Sequence, residues 1–309
     1  MPIKQFKARS PGKCILFGEH FVVDGEPAVL TPLTDLYCQV TLTRSEHVTS
    51  HAEAPALGER SRVEALMTRA LYIACDALRL DIKTQKFRIE STANFPISRG
   101  FGSSASFSVS LVKALDQYRN ALAQVSADWS ELFAASLQVE KLFHGTPSGA
   151  DVAAALSSTP IVFENGSIRT NLSITAVDVV VVDSGDRDLG STKIRDIIKF
   201  REERPNDWLQ FKSRYRELLH VALECLPMMN RHHEVARALK SNHELLSQLG
   251  LSTSGIDELI ALGIKLGALA GKVSGAGGGG AVVFVTERGS GLKLADAFKA
   301  MMIPVRGVL

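Results

Sequence analysis

The sequence predicts an α+β fold, and three observations carry that expectation. Short β-branched segments and long amphipathic stretches share the chain. They do not alternate as regular βαβ units, which disfavours a doubly wound sheet. Hydrophobic residues make up 45% and charged residues 22% of the chain, an ordinary globular balance. At 309 residues the length suits two domains.

Residues 13–23, 28–30 and 37–43 are β-branched and bounded by turn residues, so each is read as a strand. Val63, Leu66, Met67, Ala70, Leu71, Ala74 and Leu78 recur at helical spacing and predict a helix over 63–80. A short strand is expected at 86–90, followed by a loop over 91–99. Residues 104–118 predict a helix with Phe107, Leu111 and Leu115 on one face. Further helices are expected at 129–143 and 150–156. Asn, Gly, Ser and Thr cluster at 165–172, where the domain boundary is placed. The expected domains are 1–168 and 169–309. In the second, 176–183 reads as a buried strand. Helical patterns follow near 192–202, 208–225, 232–249 and 256–266. A strand at 281–286 and a last helix at 291–301 complete the reading.

Formal net charge is only +2, with no global electrostatic case for nucleic acid. The four cysteines, Cys14, Cys38, Cys75 and Cys225, form no CxxC pair. That disfavours a zinc site or a disulfide framework and fits a reducing compartment. No apolar run approaches the ~20 residues of a membrane span. The first residues lack the apolar core of a signal peptide. A cytoplasmic protein without membrane or nucleic-acid partners is expected.

The chemistry centres on Arg99-Gly-Phe-Gly-Ser-Ser-Ala-Ser106. Glycines admit close backbone approach. A helix start offers unpaired N–H groups and the positive end of the dipole to a phosphate. Two other loops look similar. Gly275-Ala-Gly-Gly-Gly-Gly280 has the letters of a dinucleotide fingerprint, but a strand is expected after it where that motif needs a helix. Five glycines in six residues point instead to close approach by a ligand or another backbone. Gly185–Thr192 nearly spells a Walker A loop but lacks its lysine, so that reading is rejected. A polar loop capped by Ser191 or Thr192 explains it as well.

Among charged residues, Lys13 opens an apolar strand as an edge charge or a site residue. Glu19 and His20 follow Gly18 and could bind a polar substrate. Glu140 and Asp151 flank a Gly/Pro loop and could face one pocket. Phosphoryl transfer to an alcohol uses a carboxylate for Mg²⁺, a proton acceptor and a cation. By spacing alone, a helix N-cap is the reading that Asp151 suits better.

Taken together, 10–25, 99–106, 140–151 and 272–280 resemble, in order, the signature segments of the GHMP kinases. Gly18-Glu-His-Phe-Val-Val23 and Glu140-Lys-x-x-His-Gly-x-Pro-Ser-Gly-x-Asp151 most resemble the mevalonate kinase family. The resemblance spans nearly the whole chain and is weakest over 200–265. It implies a ribosomal protein S5 domain 2-like N-terminal domain and a ferredoxin-like C-terminal domain, with the active site between them. It implies ATP and Mg²⁺, mevalonate as acceptor and 5-phosphomevalonate as product. A homodimer is a candidate assembly.

Asp151 is implied as the catalytic aspartate and Lys13 as the lysine beside it. Ser104 and Glu140 are implied as Mg²⁺ ligands, and Glu19, His20, Ser148, Gly149 and Asp151 as substrate contacts. Arg99, Gly100, Phe101, Gly102, Ser103, Ser104, Ala105 and Ser106, with Gly275, Ala276 and Gly277, are implied around the nucleotide. Arg99, Phe101 and Asp24 depart from the usual pattern, and Asp151-Val-Ala-Ala154 is reminiscent of phosphomevalonate kinases. Phosphomevalonate is therefore the alternative acceptor, with Arg99, Arg187, Lys193 and Arg195 as extra cations. A non-catalytic sensor would lack Lys13, Glu140 or Asp151, and all three are present.

Overall fold

Strand β1 (Gln5–Phe17) changes character along its length. Phe6, Ala8 and Ser10 are buried and alternate with exposed residues, whereas Lys13 to Phe17 are buried without interruption. Such a switch marks a strand with one wet face that becomes covered on both. The computed structural model describes residues 5–52, 60–81, 86–185 and 190–309. They form two compact units, and the chain enters each more than once. The first draws on the described parts of Met1–Gly12, Leu36–Ile97 and Gly102–Ser158. The second draws on those of Lys13–Asp35, Ser98–Phe101 and Thr159–Leu309.

In the first unit, Cys38–Arg44 of β2 (Ala28–Arg44) pairs antiparallel with β4 (Phe87–Ala93). Strand β3 (Thr49–Ala52) runs parallel to β4. The helices are α1 (Arg60–Ala77), α2 (Ser103–Ala123), α3 (Trp129–His144) and α4 (Ala150–Leu156). Val40, Leu42, Phe87 and Ile89 pack with Leu71, Leu111, Leu115 and Val139 in one core. Phe6 and Phe87 meet Tyr118 edge-on, with centroids 5.2 and 4.9 Å away. Phe107, Leu111 and Leu115 are all buried, as their spacing predicts. Val152 and Ala155 of α4 pack on Ala105 and Val109 of α2, which fixes the short helix despite its length.

The second unit holds an antiparallel sheet in the order β10 (Val305–Val308), β7 (Val177–Asp183), β9 (Ala281–Glu287), β8 (Ala270–Val273). Central β7 and β9 are buried almost throughout, which is why they read as continuous apolar runs. Among the described residues, five helices belong to it: α5 (Gly190–Glu203), α6 (Pro205–Cys225), α7 (His232–Gln248), α8 (Ser254–Lys265) and α9 (Gly291–Ala300). Ala28–Leu30 of β2 pairs with β5 (Ile161–Glu164), which pairs with β6 (Ser167–Asn171).

Several expectations are corrected. The strand expected through Val23 stops at Phe17, and Phe21–Asp24 is a 3₁₀ helix. The strands expected at 28–30 and 37–43 are one, β2. The loop expected over 91–99 begins later, because β4 runs to Ala93. The polar cluster at 165–172 closes the β5–β6 hairpin: Asn165 and Gly166 have φ of 48° and 78°, both positive as a tight Asn-Gly turn requires. The Walker-like loop lies partly outside the described residues, Arg187 included. Among the described residues no helix is long and apolar enough to cross a membrane.

Candidate active site

In the first unit, Gly102 caps α2 with φ 75° and, as a glycine, makes no side-chain capping bond. Ser103 and Ser104 form the first turn. Ser104 Oγ donates to Glu140 Oε1 at 2.7 Å and lies 2.9 Å from His144 Nε2. Ser108 Oγ donates to Glu140 Oε2 at 2.9 Å. Two i,i+4 pairs thus face each other, Ser104 with Ser108 on α2 and Glu140 with His144 on α3. Ser108 and His144 were missed at the sequence level, and this shared spacing was the signal.

Glu140 is buried, and burial raises its carboxyl above the usual range. The Ser104 hydrogen bond and His144 oppose that rise, while the Asp151 charge adds to it. The Asp151 charge thus acts on Glu140 across the loop that the two residues flank. Asp151 sits in the first turn of α4 and is not the N-cap. Gly149 is, with φ 91°. Ser148 Oγ accepts from the Ala150 N–H at 3.3 Å.

The side chains of Ala105 and Ser106 turn into the first unit. Both are fully buried. Ser106 Oγ donates to the Ser10 carbonyl at 2.6 Å and accepts from Cys38 N–H at 3.0 Å. Its own N–H is bonded to the Gly102 carbonyl at 2.9 Å. These groups are committed to holding α2 on β1 and β2, so Ser106 is a packing residue.

In the second unit, Lys13 is only 3% exposed, which removes the exposed edge-charge reading. Its N–H donates to the Phe101 carbonyl at 2.8 Å. Phe101 is buried. Ser274 Oγ accepts from Ile15 N–H at 2.9 Å and donates to the Ile15 carbonyl at 3.0 Å. The glycine loop at 275–280 is followed by β9, as expected. A Cβ on Gly280, where φ is 80°, would lie 2.4 Å from the Arg99 carbonyl oxygen. A Gly280→Val protein is therefore expected to lose about 1–3 kcal/mol of stability, the usual range for forced backbone strain. An unchanged denaturation midpoint would show that the loop yields freely.

Arg99 Nη1 lies 3.5 Å from Asp183 Oδ1, and Asp183 also meets Arg306 at 3.3 Å. His20, at φ 62°, directs Nε2 to the Ala276 carbonyl at 2.9 Å. Burial lowers its pKa, and that carbonyl bond partly opposes the shift. The ring is thus a neutral Nε2–H donor at neutral pH. Glu19 forms a fully buried ion pair with Lys272, a residue given no role at the sequence level.

The segment after His20 is latched to α6. Phe21 stacks on Tyr215 and Trp208, with centroids 4.5 and 5.0 Å away. Asp24 accepts from Trp208 Nε1 at 2.6 Å and pairs with Arg201. Glu26 meets Lys212 at 2.9 Å and accepts from Arg216 Nε at 2.7 Å. A cavity of about 450 Å³ opens beside this latch, lined by Asp24, Arg201, Trp208 and Lys212 among others. None of the residues expected to hold phosphate or metal lines it.

Comparison with known proteins bears on this arrangement. The GHMP kinases N terminal domain family matches residues 65–159, and the GHMP kinases C terminal family matches 218–303. A curated mevalonate kinase of Thermococcus sibiricus is 27% identical, over 88% of this chain and 86% of that protein. The crystal structure of L. major mevalonate kinase in complex with R-mevalonate aligns at 25% identity with a TM-score of 0.78, covering 95% of this chain and 91% of that one. Streptococcus pneumoniae phosphomevalonate kinase, in complex with phosphomevalonate and AMPPNP, shares the fold at 19% identity. Its TM-score is 0.77, over 98% of this chain and 99% of that one.

The chain belongs to the GHMP kinase superfamily and has its mixed α/β two-domain fold. It is a small-molecule phosphotransferase of the kind that uses ATP, and it is most like the mevalonate kinases.

Proposed function

We propose that this protein transfers the γ-phosphoryl group of ATP to the 5-hydroxyl of mevalonate, making 5-phosphomevalonate for isoprenoid synthesis. The observation that carries the kinase chemistry is the Ser104–Glu140 contact in the first turn of α2, with a second carboxylate, Asp151, in electrostatic range. Mevalonate as acceptor is supported by the relatives' identity.

Ser104 and Glu140 fit a hard cation. They offer neighbouring oxygens, and a buried carboxylate with a raised pKa is stabilised in its ionised form by a positive charge. Among the described residues there is no cluster of three or more His, Cys, Asp or Glu to cage a metal. Mg²⁺ suits such a sparse site, because it keeps waters and takes phosphate oxygens as further ligands. When bound there, it would neutralise charge on the phosphates.

The chain's own residues do the rest. The N–H groups of Ser103 and Ser104 would hold phosphate oxygens at the α2 N-terminus. Gly100 and Gly102, with Gly275, Ala276 and Gly277, would let backbone approach the nucleotide. Asp151 would orient the acceptor hydroxyl and take its proton. Lys13 would offset charge on the transferred group. Glu19 and His20 would contact the acceptor, with Ser148 and Gly149 lining its path.

A coupled assay with ATP, Mg²⁺ and a panel of mevalonate, phosphomevalonate, galactose and homoserine tests the reading. Turnover confined to mevalonate is expected. Preference for phosphomevalonate would replace it with the alternative kinase, for which Lys193 and Arg195 on α5 would be the cations to examine. Arg99 already faces Asp183. Glu140→Gln is expected to lower kcat and raise the Mg²⁺ concentration for half-maximal rate, since an amide is a poorer ligand for a hard cation. An unchanged Mg²⁺ titration would exclude Glu140 as a ligand. A reducing, cytoplasmic setting is supported by four free cysteines, all buried. Burial pushes the thiols of Cys14 and Cys75 up to about 12 and that of Cys38 to about 11.

A further inference from the structure

Ser106, Ser108 and Ser110 are all buried along α2, and their hydroxyl protons go to different kinds of partner. Ser106 and Ser110 donate to backbone carbonyls, those of Ser10 and Cys38. Such bonds hold a helix on its neighbouring strands. Ser108 instead donates to a carboxylate, Glu140 Oε2, at 2.9 Å. It is fully buried, and alanine is the better helix former for such a place. The chemistry above makes no use of it.

The two oxygens of Glu140 have different surroundings. Oε2 is tied to Ser108, one turn along α2 from Ser104 and sealed from solvent. Oε1 accepts from Ser104 in the first turn and lies 3.4 Å from His144 Nε2. Ser104 is half-buried, and the His144 side chain is 49% exposed. The open edge of this otherwise buried carboxylate is therefore the Oε1 edge, beside the Ser104 hydroxyl.

Divalent cations differ in what they ask of a carboxylate. Mg²⁺ demands near-ideal octahedral geometry at about 2.0–2.1 Å, which one carboxylate oxygen satisfies. Ca²⁺ gathers about six to eight oxygens at about 2.3–2.6 Å in a flexible shell, and it readily takes both oxygens of one carboxylate.

Resting on the reading of Glu140 as the cation's carboxylate, we propose that Ser108 is a positioning residue that sets which divalent cation the enzyme takes. By holding Oε2, it leaves Oε1 as the single oxygen that Glu140 presents beside Ser104. A one-oxygen carboxylate suits Mg²⁺. The same bond denies Ca²⁺ the second oxygen, so Ser108 selects for the smaller ion. Ser108 also satisfies a buried acceptor, which a purely structural serine would do as well. The two roles differ in consequence. Satisfying Oε2 concerns stability, whereas choosing between ions concerns the ratio of two affinities.

The test uses the full chain and preformed Mg²⁺ and Ca²⁺ complexes of a non-hydrolysable ATP analogue, with binding read by calorimetry. Wild type is expected to bind the Mg²⁺ complex more tightly. In Ser108→Ala, affinity for the Mg²⁺ complex should fall roughly tenfold, as when a group orienting a metal ligand is lost, while affinity for the Ca²⁺ complex holds or rises. The preference for Mg²⁺ over Ca²⁺ should shrink accordingly. A purely structural serine would lower the melting temperature and weaken both complexes alike. A folded Ser108→Ala protein with the wild-type preference, or a wild type that binds both complexes equally, overturns the proposal. Glu140→Gln separates this from the reading beneath it. If that variant binds both complexes as wild type does, Glu140 is not a ligand and both ideas fall. If it binds them weakly while Ser108→Ala keeps the wild-type preference, only the proposal for Ser108 fails.

Where Ser108→Ala fails to fold, wild type decides. The antisymmetric and symmetric infrared stretches of the Glu140 carboxylate can be assigned by difference against Glu140→Gln. They lie far apart when one oxygen binds a metal and close together when both do. A wide separation is expected with the Mg²⁺ complex. A narrow one, with either ion, overturns the proposal.

Discussion

Asp151→Asn is expected to lower kcat by about 10²–10⁴-fold, the usual worth of a positioned proton acceptor, with the fold retained. The substitution keeps shape and removes only charge. Asp151 is half-buried in the first turn of α4, whose hold on the unit comes from Val152, Ala153, Ala154 and Ala155. The cap of that helix is Gly149, so no capping bond from Asp151 is lost. A second readout follows from electrostatics. Asp151 raises the Glu140 carboxyl, so removing its charge should lower the Glu140 pKa and move any acid limb of the Mg²⁺ dependence to lower pH. Steady-state kinetics beside a thermal melt checks the first effect. A folded variant within tenfold of wild type would remove Asp151 from the chemistry.

Lys13→Met is expected to lower kcat/KM by on the order of a hundredfold or more, as loss of a preorganised charge in a transition state does. Lys13 is nearly inaccessible, and a buried ammonium is maintained only where something repays its desolvation. Its backbone role, donating to Phe101, survives any side-chain change. Methionine fills similar volume, so only a modest change in melting temperature is expected. Kinetics at saturating ATP and Mg²⁺ separates these effects. Rates within a few-fold of wild type would return Lys13 to a structural role and weaken the kinase mechanism proposed here.

The elements legible in the sequence were those whose period or composition is strong. Phe107, Leu111 and Leu115 marked the buried face of α2, and Val-Asp-Val-Val-Val-Val-Asp marked β7. The strands that were missed, β3, β5, β6, β8 and β10, have only four or five residues each, too few to show a period. Strand β8 reads Ala-Gly-Lys-Val, with a glycine and a lysine where a strand signal needs branched apolar residues. Pro32 and Asp35 split β2 in two on paper. The strand nonetheless runs unbroken, pairing with β5 over Ala28–Leu30, with β4 from Cys38 onward, and with β1. Phe21-Val-Val looked like strand, but the segment is a 3₁₀ helix in which Phe21 stacks on Trp208 and Tyr215.

By itself the sequence determined the mixed α+β class, the glycine-rich loops and the order of the chemical motifs, because local periodicity and backbone sterics act over a few residues. It also brought forward Lys13, Ser104, Glu140 and Asp151 as the residues of interest. Only the tertiary structure decided which partners those residues have. It set Glu140 against Ser104, Ser108 and His144, turned Ser106 into the core, and buried Glu19 against Lys272 across 253 positions of chain. The physical reason is that pairing, desolvation and hydrogen-bond saturation depend on what lies opposite in space, and helix packing and strand register set that.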